Sequence, residues 1–224
     1  MDPRVGSCIE DDQLTEGARR EGEMTETGFE RDVRFIFELG SLRHVQRTWV
    51  QFGGLAYSNV AEHTLRVCWI SMILARRENA SIEKVVRLAM IHDLPEIRTG
   101  DVNYLSRLYV ERHEDRALAD MADGVSIENE LTELWREYRA RESLEAKIVK
   151  DADTLDVDFE LKESSVTGGS LLDPLRDVRN KYREKLFTST AKLIFDELYR
   201  ADPHAWHVAE QARLTGDGDD TKKS

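Results

Sequence analysis

Hydrophobic positions recur at helical spacing from residue 29 to about residue 200, and no run alternates as a half-buried strand would. Thr27-Gly-Phe-Glu30 has the Thr-x-x-Glu form of a capping box and predicts a helix start, with Phe29, Val33, Ile36, Phe37 and Leu39 on its apolar period. Residues 42–49 form a short basic continuation, and residues 51–54 read as a loop. Ser58-Asn59 precede a strong helix over about 60–78. Its Val60, Leu65, Val67, Trp69, Ile70, Ile73 and Leu74 lie nearly all round, the pattern of a central, buried helix. Ser81 caps a helix over 82–93 with Val85, Val86, Leu88 and Ala89 inward. Pro95 then disfavours the α region for its predecessor and ends that helix.

Beyond the proline, Asp101 restarts a helical pattern through Leu105, Leu108 and Val110. Ser126 opens a long segment, with Leu131, Leu134, Trp135, Tyr138, Leu144, Ile148 and Leu155 as core contacts and a break near 140–143. Asp173-Pro174 starts the last helices, with Tyr182, Leu186, Leu193, Ile194, Phe195 and Leu198 as an inward stripe over 174–200. The predicted fold class is all-α, a compact helical bundle over 29–214. Residues 1–28 read as a polar, disordered leader and 215–224 as a disordered tail.

Composition narrows the function. The formal charge of −12 in 224 residues argues against a surface that coats a nucleic-acid polymer, because polyanion binding is carried by clustered Lys and Arg. A small anionic substrate needs only one or two placed arginines. Cys8 and Cys68 make no disulfide framework, residues 1–28 lack a signal-peptide apolar region, and no apolar run approaches the roughly 18–20 residues of a membrane span. A cytoplasmic location, with no membrane partner, is the expectation.

The chemistry concentrates in Leu88-Ala-Met-Ile-His-Asp-Leu-Pro-Glu-Ile-Arg-Thr-Gly-Asp101. A histidine with three carboxylates at a helix end is unfavourable in a core unless a cation compensates the charge. His63 lies in the first turn of one helix, His92 and Asp93 end the next, and Asp151 and Asp153 on a third offer a further ligand. Two imidazoles with two carboxylates suit Mn²⁺, Co²⁺, Fe²⁺, Ni²⁺ or Zn²⁺, one ion per chain. Each piece alone has a plainer reading. His63 can be a satisfied core histidine, and Asp151, Asp153, Asp156 and Asp158 a solvated acidic face. Trp49 can be a core anchor, Arg47 an ion-pairing residue, and Asp101 a helix cap.

Taken in order, Ser58-Asn-Val-Ala-Glu-His63, Ile91-His-Asp-Leu-Pro-Glu-Ile-Arg-Thr-Gly-Asp101 and Val149-Lys-Asp-Ala-Asp-Thr-Leu155 resemble the motifs of the HD-domain superfamily. The similarity is greatest to its branch of 5′-deoxynucleotidases. The resemblance implies an HD-domain helical bundle, usually a homodimer, acting on a small nucleotide. By position it implies His63, His92, Asp93 and Asp153 as metal ligands, with Asp153 preferred to Asp151 because it keeps the Lys-x-x-Asp spacing from Lys150. It implies Glu96 as the catalytic acid that orients or deprotonates water, and Arg47, Trp49 and Asp101 as substrate-binding residues. Two departures fall on substrate contacts. Arg47-Thr-Trp49 lacks the glycine of Arg-x-Gly-Trp, and Asp101-Val-Asn-Tyr104 lacks the Pro-Thr of the family's substrate loop. The function expected is release of phosphate from (deoxy)nucleoside 5′-monophosphates. The alternatives are a nucleoside triphosphate phosphohydrolase or pyrophosphatase on the same site, or a non-catalytic, metal-stabilised binding protein. Arg66 and Arg98 are further candidates for a phosphate contact.

Overall fold

The computed structural model describes residues 28–53 and 57–214. The leader, the tail, Cys8 and the capping threonine Thr27 lie outside the described residues.

The chain enters through α1 (Gly28–Gly40), a 3-10 turn at Ser41–His44 and a one-turn α2 (Val50–Gly53). Then come α3 (Val60–Glu78), α4 (Ile82–Ile91), the single-turn α5 (Glu96–Thr99) and a 3-10 turn at Ser106–Leu108. The second half is α6 (Glu114–Ala122), α7 (Glu128–Ala140), α8 (Leu144–Val166), α9 (Leu172–Lys185), α10 (Ser189–Arg200) and α11 (Ala205–Leu214). Among the described residues the extended pairing is one isolated antiparallel bridge, Gln46 with Asn59.

Local chemistry sets the helix ends. Asn59 and Glu62 form a reciprocal capping box at the start of α3, which ends at Asn79 in the left-handed region (φ 57°). The side chains of Ser81, Ser143 and Thr188 accept the first free amides of α4, α8 and α10. The break at 141–143 falls where the hydrophobic pattern predicts it.

α3, α4 and α8 pack against one another at the centre. Leu74, Leu88, Ile148 and Leu155 are wholly inaccessible there, each contributing about 1.5–3 kcal/mol by burial. This packing sets the first turn of α3, the end of α4 and the middle of α8 side by side.

Several expectations need correction. On α1 the apolar stripe faces outward: Phe29, Val33, Ile36 and Phe37 are exposed and Phe35 is the buried ring. Helix α3 is central but not covered all round, because Leu65, Trp69 and Ile73 form an exposed stripe. Residues 101–110 are not a helix. The Asn103 side chain accepts from the Leu105 and Ser106 amides and supports a single 3-10 turn, leaving Leu108 and Val110 outside. The stripe over 174–200 is two helices, since buried Asp151 accepts the Phe187 and Thr188 amides and fixes a corner between them. Tyr182, Leu193 and Leu144 are exposed rather than core. Residues 50–53 form a helical turn where a loop is expected.

Candidate metal centre and active site

Asn59's cap fixes the first turn of α3 and so the position of His63, which is fully buried. His92 caps the C-terminus of α4, and Asp93 follows it in the turn that leads to Pro95. From α8 comes Asp153. The structure brings these four together: one donor atom from each lies within 4.8 Å of the others. His63 Nε2 is 3.2 Å from His92 Nε2, 3.3 Å from Asp93 Oδ2 and 3.4 Å from Asp153 Oδ1.

The outer partners of the two imidazoles decide what stands between them. His92 Nδ1 donates to the Ala89 carbonyl at 2.7 Å, and His63 Nδ1 is 2.5 Å from Asp156 Oδ2. Both Nδ1 protons are thereby committed outward, which turns two Nε2 lone pairs and two carboxylates toward one point. Lone pairs 3.2 Å apart repel unless a cation lies between them, and the separation suits two nitrogens that share an ion at about 2.0–2.1 Å each. The residues therefore fit a divalent metal. Burial and Arg47 lower the His63 pKa, but hydrogen bonds with Asp153, Asp156 and Asp93 hold it well above the ordinary imidazole value. Burial likewise works to raise the Asp93 and Asp153 carboxyls. The neighbouring histidines overcome it at Asp93, and Lys150 and the same histidines overcome it at Asp153, so both lie well below the usual range.

Glu96 begins α5 directly after Pro95 and is 4% exposed. Its Oε1 is 3.4 Å from an Arg112 nitrogen, while Oε2 is buried without a hydrogen-bond partner. Burial first, then the charges of Asp93 and Asp101, pushes Glu96 well above the ordinary carboxylate value, against the pull of Arg47 and Arg112. Such a carboxylate, on the wall of the same cavity as His92, Asp93 and Asp153, can take up a proton.

Asp101 accepts from the Arg47 guanidinium and the Thr48 amide, each at 3.0 Å. The bridge between residues 46 and 59 holds Arg47 beside the start of α3, where it also lies 4.0 Å from Asp93 and 3.8 Å from Glu160. Trp49 packs partly buried over Val157, Leu161 and Leu172. Arg47, Trp49, His92, Asp93, Glu96, Asp101 and Asp153 line a cavity of about 500 Å³. Arg66 and Arg98 take no part: Arg66 binds Asp156 and Glu163, and Arg98 binds Glu38.

Sequence reasoning passed over several residues here. Asp156 and Asp158 are fully buried, not a solvated face. Asp156 bridges His63 to Arg66 Nε at 2.5 Å, and Asp158 pairs with buried Arg179 at 2.7 Å and accepts from the Tyr199 hydroxyl. The available signal was their place among Leu155, Val157 and Leu161, on a helix too apolar for a solvated acidic stripe. Tyr138 stands edge-on to His92, 5.9 Å between centroids. Its hydroxyl is raised well above the ordinary value by burial and then by Asp153 and Asp93.

An all-helical bundle that closes two histidines and two aspartates around one point, with a buried glutamate beside them, defines a metal-binding catalytic scaffold. Residues 39–170 match the HD domain family model, and the chain belongs to that family. It is 29% identical over 146 residues to the protein named 5′-deoxynucleotidase HDDC2 from Bos taurus, covering 62% of this chain and 71% of that one. It is 30% identical over 137 residues to the Mus musculus protein of the same name, covering 58% and 68%. Among solved structures, a conserved hypothetical protein from Pyrococcus furiosus matches with a TM-score of 0.63 and 29% identity, over 75% of this chain and 99% of that one. A protein from Magnetospirillum magnetotacticum described as a predicted metal-dependent phosphohydrolase matches at 0.58 and 25% identity, over 77% and 95%.

Proposed function

We propose that this protein is a metal-dependent phosphohydrolase that releases phosphate from (deoxy)nucleoside 5′-monophosphates. The observation that carries the reading is the juxtaposition of a His63/His92/Asp93/Asp153 donor set with buried Glu96, whose Oε2 has no partner, beside an arginine-lined cavity. The names of the HDDC2 relatives support the substrate class. A divalent ion bound there supplies charge to offset the developing phosphate negative charge and lowers the pKa of water.

The chain's own residues do the rest. Glu96 accepts the proton of the attacking water and holds that water in line, a contribution of about 10²–10⁴ in rate for a well-placed general base. Asp156 and the Ala89 carbonyl fix the two imidazoles in the tautomer that presents Nε2. Asp101 aligns the Arg47 guanidinium, and Trp49 offers a flat apolar surface to the sugar or base.

The function unit spans residues 29–214 and works as a homodimer in the cytoplasm. The exposed Leu65, Trp69 and Ile73 stripe on α3 supports the dimer, since a monomer would leave these large side chains in water. A panel of dNMPs, NMPs, dNTPs and simple phosphomonoesters with Mn²⁺, Co²⁺, Zn²⁺ and Mg²⁺ tests the reading. Orthophosphate from dNMPs is expected. Release of pyrophosphate or triphosphate from dNTPs alone selects the triphosphohydrolase alternative, and no hydrolysis with any metal rejects an enzyme.

A further inference from the structure

Two non-glycine residues among those described have left-handed backbone, Asn79 (φ 57°) and Arg141 (φ 52°). Each ends a helix, and each sends its amide back to a carbonyl four residues earlier, Ala75 and Glu137. Asn tolerates this conformation through its short polar side chain, and Gly adopts it freely. Arginine has no such advantage. A strained residue where glycine would serve directs attention to what the side chain reaches.

The Arg141 side chain lines the catalytic cavity together with Asp93, Glu96 and Asp153. Its guanidinium carbon lies 5.8 Å from the centroid of Tyr138, the ring that stands edge-on to His92. Its Nε is buried and has no hydrogen-bond partner.

Most of the other cations around the cavity are already committed. Arg47 pairs with Asp101, Arg112 with Glu96 and Glu114, Arg139 with Glu114, Lys150 with Asp153, and Arg179 with Asp158. Arg107 donates to the Val102 carbonyl from an exposed position. Arg141 alone of these combines a buried, unbonded nitrogen with the absence of a carboxylate within ion-pair distance among the described residues.

We propose that Arg141 is a substrate-binding residue whose guanidinium takes oxygens of the phosphate presented to Glu96. Arg47, tied to the Asp101 carboxylate that also accepts the Thr48 amide, then serves chiefly to position the loop around it. The proposal rests on the phosphohydrolase reading. It assigns the phosphate contact to the C-terminal end of α7, which carries none of the residues that the family resemblance points to. A guanidinium fork suits a phosphate because it can donate two parallel hydrogen bonds, which a lysine ammonium cannot.

Arg141→Gly is the informative variant, because glycine relieves the backbone at φ 52° while removing the fork. The full chain loaded with Mn²⁺ is titrated calorimetrically with inorganic phosphate and, separately, with deoxyadenosine, and its melting temperature is recorded. Arg141→Gly is expected to melt at or above the wild type and to weaken phosphate binding at least tenfold. Its affinity for the uncharged nucleoside should stay within twofold, and Arg141→Lys should recover only part of the loss. With dNMP as substrate, the rise should fall mainly on KM. Unchanged phosphate affinity in Arg141→Gly overturns the proposal, as does an equal loss for phosphate and nucleoside, which would mark a merely structural role. Phosphate binding is scored without turnover. A wild type that hydrolyses nothing therefore rejects the enzyme reading by itself, while the titration still decides the role of Arg141.

Discussion

Replacing Asp156 by Asn tests whether the metal centre is tuned from outside its ligand set. Asp156 lies outside the lining of the catalytic cavity, is fully buried, and accepts from His63 Nδ1 and Arg66 Nε, both at 2.5 Å. Asn keeps the shape and loses the charge. Its single carbonyl oxygen can serve His63 or Arg66 but not both, so its NH₂ group must face a donor on one side. Arg66 retains Glu163 at 2.7 Å and is itself partly exposed, so the fold should tolerate the change. The cost falls on His63. A hydrogen bond to a charged partner contributes about 1.5–3 kcal/mol, and outer partners of ligating histidines change metal affinity about 10–100-fold, which is about 1.4–2.7 kcal/mol. The two routes agree. Competition with a fluorescent Zn²⁺ chelator at fixed pH should show the dissociation constant rising by that factor, with turnover at saturating metal largely kept. An affinity within twofold of the wild type would mean that the Asp156 carboxylate does not set the His63 tautomer.

Four other outcomes follow from the same geometry. Glu96→Gln should bind metal as the wild type does yet lose at least 10²-fold in kcat, measured by phosphate release; lost metal would reassign Glu96 to the ligands. Arg179→Ala strands the buried Asp158 charge, with only the Tyr199 hydroxyl left to it, and should cost about 3–5 kcal/mol in urea unfolding. Chelation of the metal should lower the melting temperature. An ion at a thousand times its Kd contributes about 4 kcal/mol, or roughly 8–16 °C for a chain of this size, and added Zn²⁺ or Mn²⁺ should restore it. Trp69→Glu places a charge in the exposed α3 stripe and should give a monomer by light scattering without changing metal affinity; an unaltered mass would put any dimer contact elsewhere.

How much of this was legible in the sequence depends on the range of the information. His92, Asp93, Glu96 and Asp101 sit within ten positions, and Lys150 and Asp153 within four, so short motifs carry the family resemblance that picks them out and prefers Asp153 to Asp151. The link from His63 to Asp156 spans 93 positions and exists only because α3 crosses α8. No local pattern encodes that crossing. Periodicity likewise told which residues share a face of α1 and α3, but not whether anything covers the face. Phe29, Ile36, Leu65 and Trp69 therefore came out exposed despite correct helical spacing. Between residues 101 and 110, apolar spacing competed with Asn103, whose side chain satisfies two amides and stops a helix from forming. Arg141 carried no signal of its own, because a left-handed arginine is visible only in the backbone angles.

The charge distribution links these pieces. A chain of net charge −12 gains nothing from long-range attraction of a nucleotide, so anion recognition must be short-range and depend on desolvated contacts. Yet the cavity concentrates Asp93, Glu96, Asp101 and Asp153 within the reach of one substrate, an arrangement that repels phosphate unless each carboxylate is answered. Arg47 answers Asp101, Arg112 answers Glu96, and Lys150 answers Asp153. The residual demand at His63, Asp93 and Asp153 is met by a proton on His63 or by a metal, and the two compete. Metal binding should therefore release a proton and weaken as pH falls. Because most of the cations are consumed in neutralising the site's own carboxylates, the proposed attraction of substrate rests on a bound metal and on the Arg141 guanidinium at the end of α7, which has no carboxylate partner among the described residues.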